Sequence, residues 1–156
     1  MNADYINCLI HGAQNIIEAV CAERPALGKL YVKQPPYSSR PVSVKIGIIG
    51  DVQGEINYSM NEDVALYIAA KMLTGMPISI LDEIARSAVS ELTNMISGNV
   101  SSLLYAQKVT CDITTPSFSI NPSSENFQKL GSASKVICVP LILQTGGILE
   151  VDVIFC

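Results

Sequence analysis

Ser87-Ala88-Val89-Ser90-Glu91-Leu92-Thr93-Asn94-Met95-Ile96-Ser97-Gly98-Asn99 carries the spacing of a long amphipathic helix. At about 100° per residue, Leu81, Ile84, Ala85, Ala88, Leu92, Met95 and Ile96 are read onto one side, and Ser87, Ser90, Glu91, Asn94 and Ser97 onto the other. Ser87, Glu91 and Asn94 are separated by four and then three residues, so they share a face that points out of the core. Ser79 is expected to open this helix, with Asp82 three residues on as in a capping box. Gly98 costs about 1 kcal/mol relative to Ala inside a helix. Either the helix stops there or something packs closely against it, and Val100, Leu103 and Leu104 favour continuation.

Upstream, residues 2 to about 21 place Ile6, Leu9, Ile10, Ala13, Ile16, Ile17 and Val20 at helical spacing. Residues 27–32 read as a short strand, and residues 34–41, rich in Pro and Ser, as an exposed loop. Val42, Val44, Ile46 and Ile48 alternate with Ser43, Lys45 and Gly47. After Gly50-Asp51-Val52-Gln53-Gly54 the alternation resumes at Ile56, Tyr58 and Met60, a hairpin with one face buried. Asn61 is placed as the N-cap of a second helix, with Glu62 and Asp63 in its first turn and an end near Thr74, before Gly75 and Pro77.

Downstream, residues 108–115 alternate through Val109, Cys111 and Ile113 and stop at Pro116, a third strand. Residues 117–134 are polar and read as a loop with a short strand at 118–120. Residues 136–143 and 149–155 flank Gln144-Thr145-Gly146-Gly147 as a closing hairpin. The expected fold class is α+β, a mostly antiparallel sheet with long amphipathic helices packed on one face. A single domain is expected over residues 1–156, since no repeat or linker divides it.

Composition narrows the function. With 49% hydrophobic and 15% charged residues the chain can bury a substantial core. A net charge of −4, with ten Lys and Arg dispersed along the chain, provides no basic stripe for nucleic acid. Cys8, Cys21, Cys111, Cys138 and Cys156 form no CxxC pair, and their odd number does not suggest a disulfide framework. They read as reduced, mostly buried thiols of a cytoplasmic protein. No signal peptide is expected, and the apolar run at 136–143 is too short to span a membrane.

Most chemical motifs are missing. His11, the only histidine, stands three residues after Cys8, but a nucleophile pair on one helix lacks an orienting third group and an oxyanion site. One histidine and scattered cysteines make a zinc site less plausible still, and there is no Gly-x-Ser-x-Gly. Gly47-Ile48-Ile49-Gly50 lacks the Lys-Ser/Thr of a phosphate loop and the last glycine of a dinucleotide loop. Periodicity alone makes Ser87, Glu91 and Asn94 the wet face of an amphipathic helix. Against that, Arg86 is the one cation nearby and Glu91 has Ser87 and Met95 four residues to either side, so it is free to meet a cation from elsewhere.

As a block, residues 91–99 resemble the signature helix of the CheX-like chemotaxis phosphatases, in the wider CheC, CheX and FliY group. Ser87 stands where that family has Asp or Ser four residues before the Glu, and Pro116 lies about where it keeps a proline, with a spacing from Asn94 that is one residue short of the usual pattern. The element order is similar over residues 5 to 155. Only one copy of the motif is present, because Glu18 on the first helix is followed three residues on by Cys21 where a second site would carry Asn.

The resemblance implies a CheC-like fold, a homodimer pairing through sheet edges, and hydrolysis of the aspartyl phosphate of a CheY-type receiver domain. It implies that Asn94 orients the attacking water, that Glu91 docks the receiver lysine, and that in the partner-binding surface Ser87 is a nearby contact or helix-shaping residue and Pro116 shapes the adjacent surface. No cofactor is expected in this chain, with Mg²⁺ carried by the receiver. The alternative is a receiver-binding module without catalysis, similar to the flagellar switch scaffolds that share the architecture.

Overall fold

Alternating branched and small or polar residues pair into one antiparallel sheet in the computed structural model, which describes residues 3–34, 37–73, 75–122 and 135–155. Its strands are β1 (Ala26–Leu27), β2 (Tyr31–Lys33), β3 (Val42–Gly50), β4 (Gly54–Met60), β5 (Cys111–Ile113), β6 (Ser117–Ile120), β7 (Val136–Ile142) and β8 (Ile148–Phe155). They run β1-β7-β8-β4-β3-β5 across the sheet, with β2 also on β7 and β6 also on β3. Helices α1 (Ala3–Cys21), α2 (Glu62–Leu73) and α3 (Glu83–Ala106) cover one face. Val44 and Ile46 of β3 stand opposite Tyr58 and Ile56 of β4, and all four are buried under that helical layer. Burying such side chains stabilises the fold by roughly 1.5–3 kcal/mol each.

Several elements depart from their sequence pattern. The strand expected at 27–32 is two strands, and the break lies opposite Pro140, which has no N–H to donate. Gly28 donates its N–H to the Pro140 carbonyl at 2.8 Å, and a Cβ there would lie 2.9 Å from Pro140 Cγ. The strand expected at 108–115 is only Cys111–Ile113, because Lys108 turns out of α3 with φ 65° and β5 pairs only with Ile48, Ile49 and Gly50 of β3. The short strand expected at 118–120 is present as β6, while residues 123–134 of the polar stretch lie outside the described residues. Thr74, the expected end of the second helix, also lies outside them.

The β3–β4 hairpin is buried on both faces. Ser43, Asn57 and Ser59 point away from the helices yet are covered, and the Ser43 hydroxyl donates to Asn57 Oδ1 at 2.6 Å. Alternation predicted a wet face here; chain from residues 37–41 lies over it, with Tyr37 against Val136 and Ile154. Lys33 crosses the same face to reach Asp152 Oδ2 at 2.7 Å and Glu150 Oε2 at 3.1 Å. Cys8, Cys21, Cys111 and Cys138 are free and buried; Cys156 lies outside the described residues.

Candidate functional site

Helix α3 starts four residues later than Ser79, and Asp82 is its N-cap instead of a capping-box partner. The Asp82 carboxylate accepts from the Ala85 N–H at 2.9 Å, satisfying one of the helix's orphan donors. The helix passes through Gly98 without a break and ends at Gln107, whose N–H bonds the Leu104 carbonyl. Ala85, Ala88, Val89, Leu92, Ile96, Val100 and Leu104 bury its inner side. Gly12 lets α1 lie close along it, since a Cβ there would sit 2.8 Å from Val100 Cγ2.

Two assignments on the helical wheel are corrected. Ile84 is 66% exposed, because it lies seven residues, two full turns, before Glu91 and so shares Glu91's outward meridian. Ser97 is 1% exposed, not outward; its hydroxyl meets that of Tyr58 at 2.8 Å. Burial lifts the Tyr58 phenol above its ordinary value, against a smaller downward pull from Ser97, so the pair stays neutral beneath the helix.

Ser87, Glu91 and Asn94 remain outward, Glu91 exposed and Asn94 half-buried, and they line one groove of about 520 Å³. Its opposite wall is Thr115 and Pro116, from the connector between β5 and β6, with Phe118 of β6. That wall is fixed to β3. The Thr114 N–H donates to the Gly47 carbonyl at 2.9 Å, its hydroxyl accepts from the Gly47 N–H at 2.8 Å, and Ser117 pairs with Lys45. A Cβ on Gly47 would lie 3.0 Å from Thr114 Cγ2, so the glycine permits this close approach. Pro116, 22 residues beyond Asn94, is thereby brought to the same groove.

Glu83, Arg86 and Ser90 complete the lining; the sequence pattern puts Ser90 on this outer face and Arg86 nearby, but it gives none of the three a role in the site. Arg86 lies over the Phe118 ring at 5.6 Å and donates from Nε to the Leu81 carbonyl at 3.0 Å, bracing the N-terminal end of the groove. Glu91 and Asn94 make no side-chain hydrogen bond or ion pair with any described residue. The groove thus offers an uncommitted carboxylate and an uncommitted amide, three residues apart on a rigid helix.

Other candidates are committed elsewhere. On α1, Glu18 is paired with Arg24 at 2.8 Å and buried Cys21 stands three residues on, so the helix presents no second Glu-x-x-Asn pair. Burial, and then the Asp4 carboxylate, push the Cys8 thiol up, while exposed His11 has no orienting partner among the described residues. Cys138, Glu150 and Asp152 are the one cluster among the described residues with metal-ligand spacing, and the Lys33 ammonium already sits against both carboxylates. They face away from α3, since Asp152 stands in register with Asn57 on the sheet's far side. Among the described residues, no helix is long and apolar enough to cross a membrane.

The family model described as chemotaxis phosphatase CheX matches residues 42–141, which include α3 and Pro116. The CheY-P phosphatase CheX of Thermotoga maritima is 33% identical over 116 residues, 74% of this chain and 75% of the relative. Among solved structures, a CheC-like superfamily protein from Shewanella sp. PV-4 is similar with TM-score 0.83 and 26% identity, over 100% of this chain and 99% of that one. The CheX component found in a CheX–CheY–BeF3–Mg²⁺ complex from Borrelia burgdorferi is similar with TM-score 0.79 and 28% identity, over 99% of each chain. The antiparallel sheet with helices on one face is the CheC-like fold, and the chain belongs to the chemotaxis phosphatase CheX family.

Proposed function

We propose that this chain, as a single cytoplasmic domain, is a hydrolase for the aspartyl phosphate of a CheY-type receiver, with the α3 groove as its working surface. The observation that carries the reading is the pairing of Glu91 and Asn94, neither with a side-chain hydrogen-bond or ion-pair partner among the described residues, on one outward helical face opposite Pro116. An acyl phosphate is already activated, so the catalyst needs only to place water in line with the departing carboxylate. Asn94 holds that water by its amide. As an amide is a poor base, it contributes position; the oxygen–phosphorus bond forms as the phosphorus–carboxylate bond breaks, and the water's proton passes to a phosphate oxygen. The receiver supplies the Mg²⁺, and no residue of this chain is assigned to it.

Glu91 docks the receiver through its active-site lysine, while Ser87 and Pro116 shape the two walls. Helix rigidity fixes the distance between the docking acid and the amide, so an ion pair at Glu91 sets the register of Asn94 over the phosphoryl group. Glu91→Lys should abolish receiver binding and phosphate release together, because like charges then meet. Reversing the receiver lysine to Glu should restore binding to the Glu91→Lys variant, as measured by titration with beryllofluoride-loaded receiver. Unchanged binding of the lysine-bearing receiver by Glu91→Lys would remove Glu91 from the interface.

A homodimer belongs to the same proposal. Leu27, Tyr31 and Val32 expose apolar side chains on β1 and β2 at one edge of the sheet, a surface suited to pairing with a second copy. Light scattering should give twice the mass of one chain; a single-chain mass at micromolar concentration would contradict it.

A further inference from the structure

The described glycines of this chain have visible reasons, with one exception. Gly50, Gly75 and Gly146 adopt positive φ, and Gly12, Gly28, Gly47, Gly54 and Gly147 have a neighbour at 3.0 Å or less from where a Cβ would stand. Among the described glycines, Gly98 alone has neither reason: its φ is ordinary and a Cβ there would have nothing within 4 Å. It lies inside α3, where glycine weakens a helix relative to alanine. The fold is therefore worse off for this residue and gains no packing from it.

The position of Gly98 supplies the missing reason. Ile84, Glu91, Gly98 and Tyr105 recur every seven residues, so they form one nearly straight stripe along the outer side of α3. Its ends are large exposed apolar side chains, Ile84 at 66% and Tyr105 at 70% exposure. Between them lie the carboxylate of Glu91 and, two turns on, half-buried Gly98, which has no side chain to hold a partner off and whose carbonyl accepts from the Ser102 hydroxyl at 3.2 Å, one turn beyond Asn94. Apolar anchors around a gap are what a packed partner requires, because a missing side chain lets the facing surface approach the helix backbone.

We propose that Gly98 is the point of closest approach between α3 and the docked receiver, and that the receiver's footprint extends along the stripe from Ile84 to Tyr105. This rests on the receiver reading above. The receiver is the occupant favoured because the stripe runs through Glu91 and is continuous with the groove that holds Asn94. Gly98 acts as a positioning residue: by admitting the receiver surface it sets the depth to which Asn94 reaches.

The test is the affinity of Gly98→Ala and Gly98→Leu for a CheY-type receiver loaded with beryllofluoride and Mg²⁺, alongside their thermal unfolding. With open space in the free chain, Gly98→Ala should raise Tm by about 2–4 °C, and Gly98→Leu should not lower it. Both should nevertheless bind less tightly, Gly98→Leu by about tenfold or more and Gly98→Ala by a smaller factor. Wild-type affinity in Gly98→Leu would overturn the proposal. So would a change in mass by light scattering without receiver, which would make the occupant a second copy of the chain. Wild type serves as the reference arm. If it binds the receiver and Gly98→Leu matches it, only the role of Gly98 falls; if it does not bind, the receiver reading falls with it.

Discussion

Asn94→Ala is expected to lower phosphate release from a phosphorylated receiver on the order of a hundredfold or more while leaving receiver affinity within a few-fold of wild type. Removing one preorganised polar group from a reaction site costs roughly 10²–10³ in rate. The split between binding and rate follows from the geometry. Asn94 has no side-chain hydrogen bond or ion pair within the described residues, so its loss leaves no polar partner among them unsatisfied. Glu91, Ser87 and the wall at Pro116 keep their places in the groove, so the docking proposed for them should survive. Asn94→Asp sharpens the point. It nearly preserves size but places negative charge beside the phosphoryl oxygens, so it should lose hydrolysis as fully and some affinity as well. A rate in Asn94→Ala within threefold of wild type would overturn the water-positioning role; a parallel collapse of affinity would recast Asn94 as a docking group.

The largest stability effect should come from the far side of the sheet. Lys33→Met is expected to destabilise the fold by about 3–5 kcal/mol, measured by urea unfolding at neutral pH. Lys33 and Asp152 have side chains only 7% and 0% exposed, so neither charge has water in place of the other. Burial pulls the Lys33 ammonium down, but its bonds to Asp152 and Glu150 outweigh this and its pKa is raised. A base whose folded value is raised contributes stability that is complete below its ordinary 10.5 and is lost only as pH climbs through the folded value.

Burial pushes Asp152 up, and Lys33 only partly offsets it. Without Lys33 the carboxyl rises further, binding more protons folded than unfolded, so the variant should regain stability as pH falls and its gap from wild type should narrow. The double variant Lys33→Met with Asp152→Leu should recover much of the loss, because Glu150 keeps the Arg40 guanidinium at 3.2 Å and no buried charge is left unpaired. A Lys33→Met chain as stable as wild type at pH 7 would show that the cluster is hydrated rather than sealed.

These two predictions draw on parts of the molecule that differ in legibility. Helical periodicity was enough to put Ser87, Glu91 and Asn94 on one face, because their spacing depends on α3 alone. Arg86 and Phe118 could not be joined that way: they meet only because β6 returns to pair with β3, a contact between segments 32 residues apart. Ser97 misleads for a related reason. A serine counts as polar in a periodic pattern, yet a hydroxyl from β4 waits for it in the core.

The hairpin's second face was the largest gap. Ser43, Asn57, Ser59 and Asp152 give an alternation that reads as solvated, whereas chain crossing from residues 37–41 buries them in polar contacts with one another and with Lys33. Alternation reports which side of a strand is apolar; it cannot report what lies over the other side. The break in the strand at 27–32 follows the same logic, since it was caused by a proline more than a hundred residues away. Local rules located the helix that carries Glu91 and Asn94, and long-range pairing built its groove.

The most direct test of the central claim is the time course of inorganic phosphate release from a phosphorylated CheY-type receiver with Mg²⁺, using this chain at a tenth or less of the receiver concentration. A phosphatase working through Asn94 predicts many turnovers per chain, well above the receiver's own decay, with the excess abolished in Asn94→Ala. Stoichiometric binding with no acceleration at any ratio would contradict it, and would make the α3 groove a docking surface alone.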